Sequence, residues 1–325
     1  MSYQFFGWKN LPDEVTKVKA TLTHQNGDHY IQTENLVIRT DNVMGSDPVL
    51  PYLLVRKIIG SDVPNGPQKI GDCVSWGWGN ATNYVQCLQI AASLNKLELL
   101  NLRTDKGTWH RDAQDHPHFA QGVQLLYEYQ EACTEWIYGS SRVEIGGQKG
   151  DREDGSVGAW AAKSTAQYGV ATRKKYGPYD PQRAKDWGAD GVPDDYEDEA
   201  KKHAYTDVVP CTTYQQAATF LKALRIVPVC SDQGFTETRD SKGGCRASGT
   251  WNHCMLFCAI DETGRLLCSQ SWGPDQPSGP RYLDQPVNTF WVDPSTADRM
   301  LKQNDSFTPA GYMGYEIEDF ISWHH

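Results

Sequence analysis

The hydrophobic pattern of this 325-residue chain changes from a helical to a strand-like period between its first and second halves. From Val74 to about Leu100, apolar residues recur at the spacing of a long buried helix. From residue 226 onward the apolar runs are short, as in IVPVCSD, HCMLFCAID, RLLCSQSW and NTFWVD, and they predict strands. Because helices and strands are segregated along the chain, we predict an α+β fold with a helical lobe, a β lobe and a cleft between them.

Shorter segments complete this prediction. The turn-rich block SDVPNGPQKIGD delivers the chain to the long helix, and Thr212 or Thr213 is suited to cap a helix further on. Helices are predicted at 119–137, at 156–168 with an end at Gly169, and at 213–224. Residues 1–60 are predicted to form strands or an extended arm. A loop is predicted at 138–155 and a surface segment at 176–203.

Composition excludes several classes of function. The net charge of −10 argues against broad binding to nucleic acid or to an anionic membrane surface. The sequence contains no run of about 18 apolar residues, and its beginning, MSYQFFGWKN, does not resemble a signal peptide. The nine cysteines are odd in number and include no CxxC, so we expect reduced thiols, as in the cytosol or in a particle assembled there. No Cys/His set has the spacing of metal ligands.

A cysteine at the start of the long helix and a histidine in a later strand predict an activated thiol. Cys73 lies in GDCVSWG, and His253 lies in GTWNHCMLF. The positive end of a helix and a neighbouring imidazolium both favour a thiolate, which can attack a carbonyl carbon. The side-chain amide of Gln68 is a candidate oxyanion donor beside the Cys73 N–H. Gln270, in SQSWG, is placed to orient the imidazole, and Trp272 could shield that hydrogen bond from water.

Each assignment has a less specific alternative. Cys73 could be a buried thiol in a protein that no longer reacts, and Gln68 an ordinary loop residue. Gln270 could satisfy backbone groups at the end of a strand, and Trp272 could serve packing alone.

The motifs GDCVSWG, DGSVGAWAAKSTAQYG, VPCTTYQQAATFLKALRIVPV, WNHCMLFCAID and LCSQSWG resemble, in this order, those of papain-like cysteine peptidases. The resemblance covers roughly residues 60–295 and is closest to sequences from bacteria and tailed phages. It implies a two-lobed fold in which Cys73 is the nucleophile, His253 the base and Gln68 the oxyanion residue. Gly155 would pair its backbone with the substrate peptide. Such an enzyme needs no cofactor.

The chain departs from the family pattern at several points. Gln270 stands where the family has Asn, and Gln68 lies one residue closer to the nucleophile than usual. The stretch between Cys73 and His253 exceeds the ~130–150 residues usual in the family, which implies insertions near 101–150 and 180–205. No recognisable inhibitory propeptide is seen in the first 60 residues.

The resulting prediction is a cytosolic cysteine peptidase acting on peptide or protein substrates. It divides the chain into an arm at 1–60, a peptidase domain at 61–295 with lobes at 61–205 and 206–295, and an extension at 296–325. The alternative is a phage virion structural or assembly protein that retains the fold, with or without catalysis. Its terminal arms would then contact virion proteins or other copies of the chain. Neither hypothesis involves nucleic acid or a membrane.

Overall fold

The computed structural model describes residues 6–25, 47–93, 129–274 and 276–312. In these ranges helices precede the main sheet along the chain, which confirms the predicted α+β class. The helices before the first strand are α1 (Pro12–Gln25), α2 (Pro51–Ile59), α3 (Cys73–Ser93), α4 (Thr134–Gly139), α5 (Gly158–Gln167), α6 (Arg173–Tyr176), α7 (Pro181–Asp190) and α8 (Glu197–Lys201).

The second half forms two antiparallel sheets in the described residues. Strands β2 (Val227–Phe235), β3 (Ala247–Ile260), β4 (Leu266–Ser269) and β5 (Thr289–Val292) lie in that order in one sheet. Strand β1 (Tyr205–Pro210) pairs with β6 (Phe307–Tyr312) in the other. Helix α9 (Tyr214–Lys222) follows β1, and α10 (Pro294–Leu301) follows β5.

The long helix α3 is the centre of the molecule. Its residues from Cys73 to Ala91 are buried, because the sheet covers one side and other helices cover the rest. Gly77 permits a close approach to β3, since a Cβ at this position would lie 2.8 Å from the Cys254 sulfur. This close packing fixes the start of α3 against the middle of β3, where His253 precedes Cys254.

Several predicted elements are confirmed. Helix α5 ends before Gly169, whose φ of +66° is the left-handed conformation that glycine adopts at little cost. Helix α9 is capped by Thr213, whose hydroxyl accepts from the Gln216 N–H at 3.2 Å. The predicted strands after residue 226 correspond to β2, β3, β4 and β5.

Four predicted segments differ from the structure in part or lie partly outside the described residues. Residues 1–60 were expected to be extended, but the described part contains the helices α1 and α2. The expected surface segment 176–203 contains α7 and α8, and the expected loop 138–155 begins with a π-helical turn at Ser140–Ile145. The predicted helix 119–137 lies largely outside the described residues, and its described part is helical only from Thr134.

The described parts of the two expected arms belong to the packed body. Val15, Val18 and Leu22 of α1 are buried in an apolar cluster that also contains Cys73 and Phe307. Residues after 295 complete α10 and supply β6, the partner strand of β1. These segments are therefore structural elements of the fold and not extensions from it.

Candidate active site

The packing of α3 on β3 places Cys73 against the main chain of Cys254, the residue that follows His253. Cys73 is the first residue of α3, and its sulfur accepts a hydrogen bond from the Cys254 N–H at 3.3 Å. His253, the preceding residue on β3, lies opposite Ser231 of β2. Both the thiol and the imidazole are fully buried. The two predicted reactive residues thus occupy adjoining positions on neighbouring elements.

In this conformation burial favours the uncharged forms of both groups. Burial raises the pKa of the Cys73 thiol well above its usual value, and the nearby N–H of Cys254 lowers it by less. Burial also lowers the pKa of His253 to about 3. Neither imidazole nitrogen has a hydrogen-bond partner among the described residues. Burial thus disfavours the charged forms of both groups in this conformation, and the thiolate–imidazolium pair stays a prediction for a site that water can reach.

Solvent is excluded by the chain's own residues 6–9, which we call the covering segment. The N–H groups of Gly7 and Trp8 both donate to the carbonyl of Asn252 at 3.1 Å, next to His253. On the other side, the Lys9 N–H donates to the Ser156 carbonyl and the Ser156 N–H donates to the Gly7 carbonyl, both at 2.8 Å. The segment therefore spans the space between Asn252 and Ser156, which we call the groove. It does so as a short extended stretch, parallel to the chain at Ser156.

Two further contacts of the covering segment close the site. Gly7 lies against Gly71, two residues before Cys73, and its N–H is near enough to the Cys73 sulfur to influence the thiol pKa. Phe6 packs edge-on against Trp272 with ring centroids 5.8 Å apart. Trp272 in turn stacks on the His253 imidazole, with centroids 4.5 Å apart and an interplanar angle of 23°. Trp272 thus covers one face of the imidazole, and its predicted shielding function stays a prediction.

Gly155 does not make the backbone pairing predicted for it. Its N–H donates to the Tyr138 hydroxyl at 3.0 Å, and its carbonyl accepts from the Arg142 guanidinium. The pairing with an extended segment occurs one residue later, at Ser156. Gly155 instead provides space, since its φ is +109° and an added Cβ would lie 2.9 Å from the Gly7 carbonyl oxygen.

Gln68 connects the loop before Cys73 to the SQSWG motif. Its side-chain oxygen accepts from the Ser271 hydroxyl, and its backbone N–H donates to the Ser271 carbonyl at 2.8 Å. Its side-chain NH₂ donates to the Ile70 carbonyl at 2.9 Å. Gln68 is therefore held near the start of α3, and its function as an oxyanion donor stays a prediction.

Gln270 is not brought to the imidazole. Its side-chain NH₂ donates to the Gln276 carbonyl, and its side-chain oxygen accepts from the Trp272 N–H. The extra methylene relative to Asn lets the amide fold back on its own loop. In this conformation Gln270 shapes the turn that holds Trp272, and it does not orient His253.

Two buried carboxyl groups near the groove were missed by the sequence analysis. Asp72 immediately precedes Cys73, and burial raises its pKa to about 8; one oxygen accepts from the Tyr179 hydroxyl at 2.8 Å, and the other has no partner among the described residues. Asp305 accepts from the Trp8 indole N–H at 2.7 Å. For Asp72 the sequence GDC was the one available signal, because it places an acid beside the predicted nucleophile.

In the part of the chain that the structure describes, no group of three or more His, Cys, Asp or Glu side chains could hold a metal ion. None of the helices in these ranges is long and apolar enough to cross a membrane. All nine cysteines are unpaired and buried.

Comparison with known proteins gives matches only at the level of structure. No protein-family model and no curated protein sequence matches the chain. One similar solved structure is xylellain, a cysteine protease from Xylella fastidiosa, at 12% identity and a TM-score of 0.47 over 78% of this chain and 88% of that one. The ragweed pollen cysteine protease Amb a 11 in its proform gives 13% and 0.45 over 81% and 64%. Digestive procathepsin L 3 of Tenebrio molitor gives 13% and 0.42 over 91% and 90%.

Proposed function

We propose that the chain is a papain-like cysteine peptidase with Cys73 as nucleophile and His253 as base, here in a closed state. The observation that carries this proposal is the covering segment itself. An extended peptide is held by main-chain hydrogen bonds to Ser156 and Asn252, directly over the Cys73 thiol. A groove that binds one extended peptide across a buried thiol and imidazole is suited to bind another as substrate.

The reaction requires the groove to open. Once water reaches the site, the burial that keeps Cys73 and His253 neutral is relieved, and a proton can pass from the thiol to the imidazole. The sulfur then bonds to the substrate carbonyl carbon, and the N–H of Cys73, at the first turn of α3, is available to the oxyanion. His253 protonates the amine as the C–N bond breaks, leaving a thioester. Water, deprotonated by His253, releases the acid and restores the thiol.

We also propose an origin, a class of substrate and a location for the protein. The motifs favour an origin among bacterial or tailed-phage proteins, with peptide or protein substrates, no cofactor, and a cytosolic or virion-associated location. The lack of a disulfide bond between any of the nine cysteines fits that location.

The alternative is a binding or structural protein, including a phage virion component, that keeps the groove permanently closed. The complete burial of Cys73 and His253 favours it. Contacts through terminal arms do not support this alternative, because α1 and β6 are packed into the body of the protein.

Alkylation of Cys73 separates the two functions. The wild-type chain and a Gly7→Ala variant, which is expected to displace the covering segment, are treated with iodoacetamide at neutral pH. Modified cysteines are located by peptide mass spectrometry, and cleavage of a casein substrate is followed in parallel. A peptidase predicts rapid alkylation of Cys73 in the variant, together with cleavage that Cys73→Ala abolishes. The matched control is Cys87→Ala in the Gly7→Ala chain, which removes another buried thiol of α3. This control should retain both the alkylation of Cys73 and the cleavage of casein. If Cys73 in the opened variant reacts no faster than the other cysteines, the peptidase proposal is wrong.

A further inference from the structure

The side chain of Trp8 occupies a pocket in the wall of the groove. The main chain of Trp8 lies opposite Ser156, while its indole is buried in the apolar cluster that includes Val157 and Phe307. The indole N–H donates to the Asp305 carboxylate at 2.7 Å. We call this cavity the Trp8 pocket, with Ser156 at its mouth and Asp305 at its floor. An extended peptide in the groove therefore directs one side chain towards a buried acid.

The acid at the floor is held in place independently of Trp8. The N–H groups of Gly158 and Ala159, at the start of α5, donate to the Asp305 carboxylate at 2.8 and 2.7 Å. Gly158 leaves the space for this approach, because a Cβ there would lie 2.6 Å from the Asp305 main-chain oxygen and 2.9 Å from its carboxylate. Burial raises the pKa of Asp305 to about 6, while the N–H groups of Trp8, Gly158 and Ala159 favour its ionised form. Departure of Trp8 would leave this acceptor without one of its three donors.

We propose that the Trp8 pocket is a specificity site that selects tryptophan in the peptide substrate, at the position whose main chain lies opposite Ser156. This inference rests on the proposed peptidase function and adds its substrate class. An indole matches both the volume that Trp8 vacates and the N–H donor that Asp305 loses. Phenylalanine or leucine fills the apolar walls but removes one of the two donors to the same Asp305 oxygen, which then keeps only the Gly158 N–H. A lysine or arginine would bring a second cation near Lys19, whose charge already acts on Asp305.

The test measures binding, so that it does not depend on catalysis. The Gly7→Ala chain carrying Cys73→Ala is titrated by calorimetry with acetyl-Phe-Gly-X-Lys-Asn-amide, which reproduces residues 6–10. X is tryptophan, its isostere benzothienylalanine (sulfur replaces the N–H), leucine or lysine. We expect the tryptophan peptide to bind about tenfold or more tightly than the isostere, since the hydrogen bond to a charged acceptor is lost. Equal binding of the two, tighter binding of the lysine peptide, or no binding to a folded, opened chain would each overturn the proposal.

A second variant covers the case in which Gly7→Ala does not fold. Trp8→Ala in the otherwise unchanged chain empties the pocket, and indole and benzothiophene are compared as ligands. Indole should bind about tenfold more tightly, and equal affinities would overturn the proposal. Loss of peptide cleavage with tryptophan-selective binding intact would refute the peptidase function alone, whereas cleavage without this selectivity would refute the Trp8 pocket alone.

Discussion

Gly7→Ala should open the groove, because residue 7 has no room for a side chain. An added Cβ would lie 2.8 Å from the Gly71 Cα and nearer still to its carbonyl carbon and oxygen. These are main-chain atoms, so no change of rotamer relieves the overlap. Forcing a methyl group into such a contact costs about 3 kcal/mol. The covering segment must therefore shift away from Gly71 or detach.

The stability of the closed state is of similar size. Four main-chain hydrogen bonds hold the covering segment, each contributing about 1 kcal/mol net. Burial of the Trp8 side chain adds roughly 4 kcal/mol. Ordering the four residues costs about 1.5 kcal/mol each. Closure is thus favourable by only about 2 kcal/mol, and an overlap of about 3 kcal/mol is enough to reverse it.

This balance predicts a large change in thiol accessibility. In the wild-type chain a preference of about 2 kcal/mol leaves a few per cent of molecules open, whereas Gly7→Ala should be mostly open. The rate of Cys73 alkylation by iodoacetamide should then rise about 30-fold. The matched control is Gly66→Ala, on the same approach to α3, where the nearest atom to an added Cβ is the Trp76 ring at 3.6 Å. A folded Gly7→Ala chain with wild-type alkylation kinetics would refute the idea that this segment controls access.

Three further predictions concern buried polar groups. Asp72 has a folded pKa of about 8, against an ordinary value of 3.8, so the folded chain binds more protons between these values and this group makes stability fall as pH rises from about 4 to 8. In thermal melts, Asp72→Asn should be nearly as stable as the wild-type chain at pH 4 and more stable at pH 9, by about 4–6 kcal/mol. Glu135→Gln should lower the free energy of unfolding in urea by about 3–5 kcal/mol, because Arg173 and Arg183 both pair with this buried carboxylate; an unchanged midpoint would contradict this. Gln270→Ala in the opened chain should change Cys73 alkylation by less than about tenfold, since its amide does not contact the imidazole; a 100-fold loss would restore its predicted orienting function.

The elements with a clear hydrophobic periodicity could be predicted from the sequence. The helix from Cys73 and the strands after residue 226 have unambiguous periods, and both are confirmed. The run PYLLVRKII was misassigned because a short apolar stretch fits a strand or a buried helix equally well, and packing decides between them. For α1 the sequence does contain helix signals: Pro12 begins the helix, Asp13 and Glu14 follow it, and Val15, Val18 and Leu22 share one face.

The site was predictable only in part. The meeting of Cys73 with the His253 strand follows from motif order, and the structure brings them together. Four residues such as Phe6–Lys9 have no period, so nothing in their pattern shows that they cross a groove formed by residues far along the chain. The charge states could not be predicted either, because they depend on whether that groove is covered. The same two side chains are neutral when buried and can ionise when exposed.

A strand that is covalently part of the molecule competes for the groove in a way that a separate inhibitor does not. Its local concentration is set by the tether, typically in the millimolar range, and does not fall when the protein is diluted. Dilution alone would therefore not activate the chain, and a peptide added in trans would have to outcompete an occupant that is always present. The apparent affinity for any substrate is lowered by the fraction of molecules that are closed, so agents that detach residues 6–9 would act as activators without touching the reacting groups.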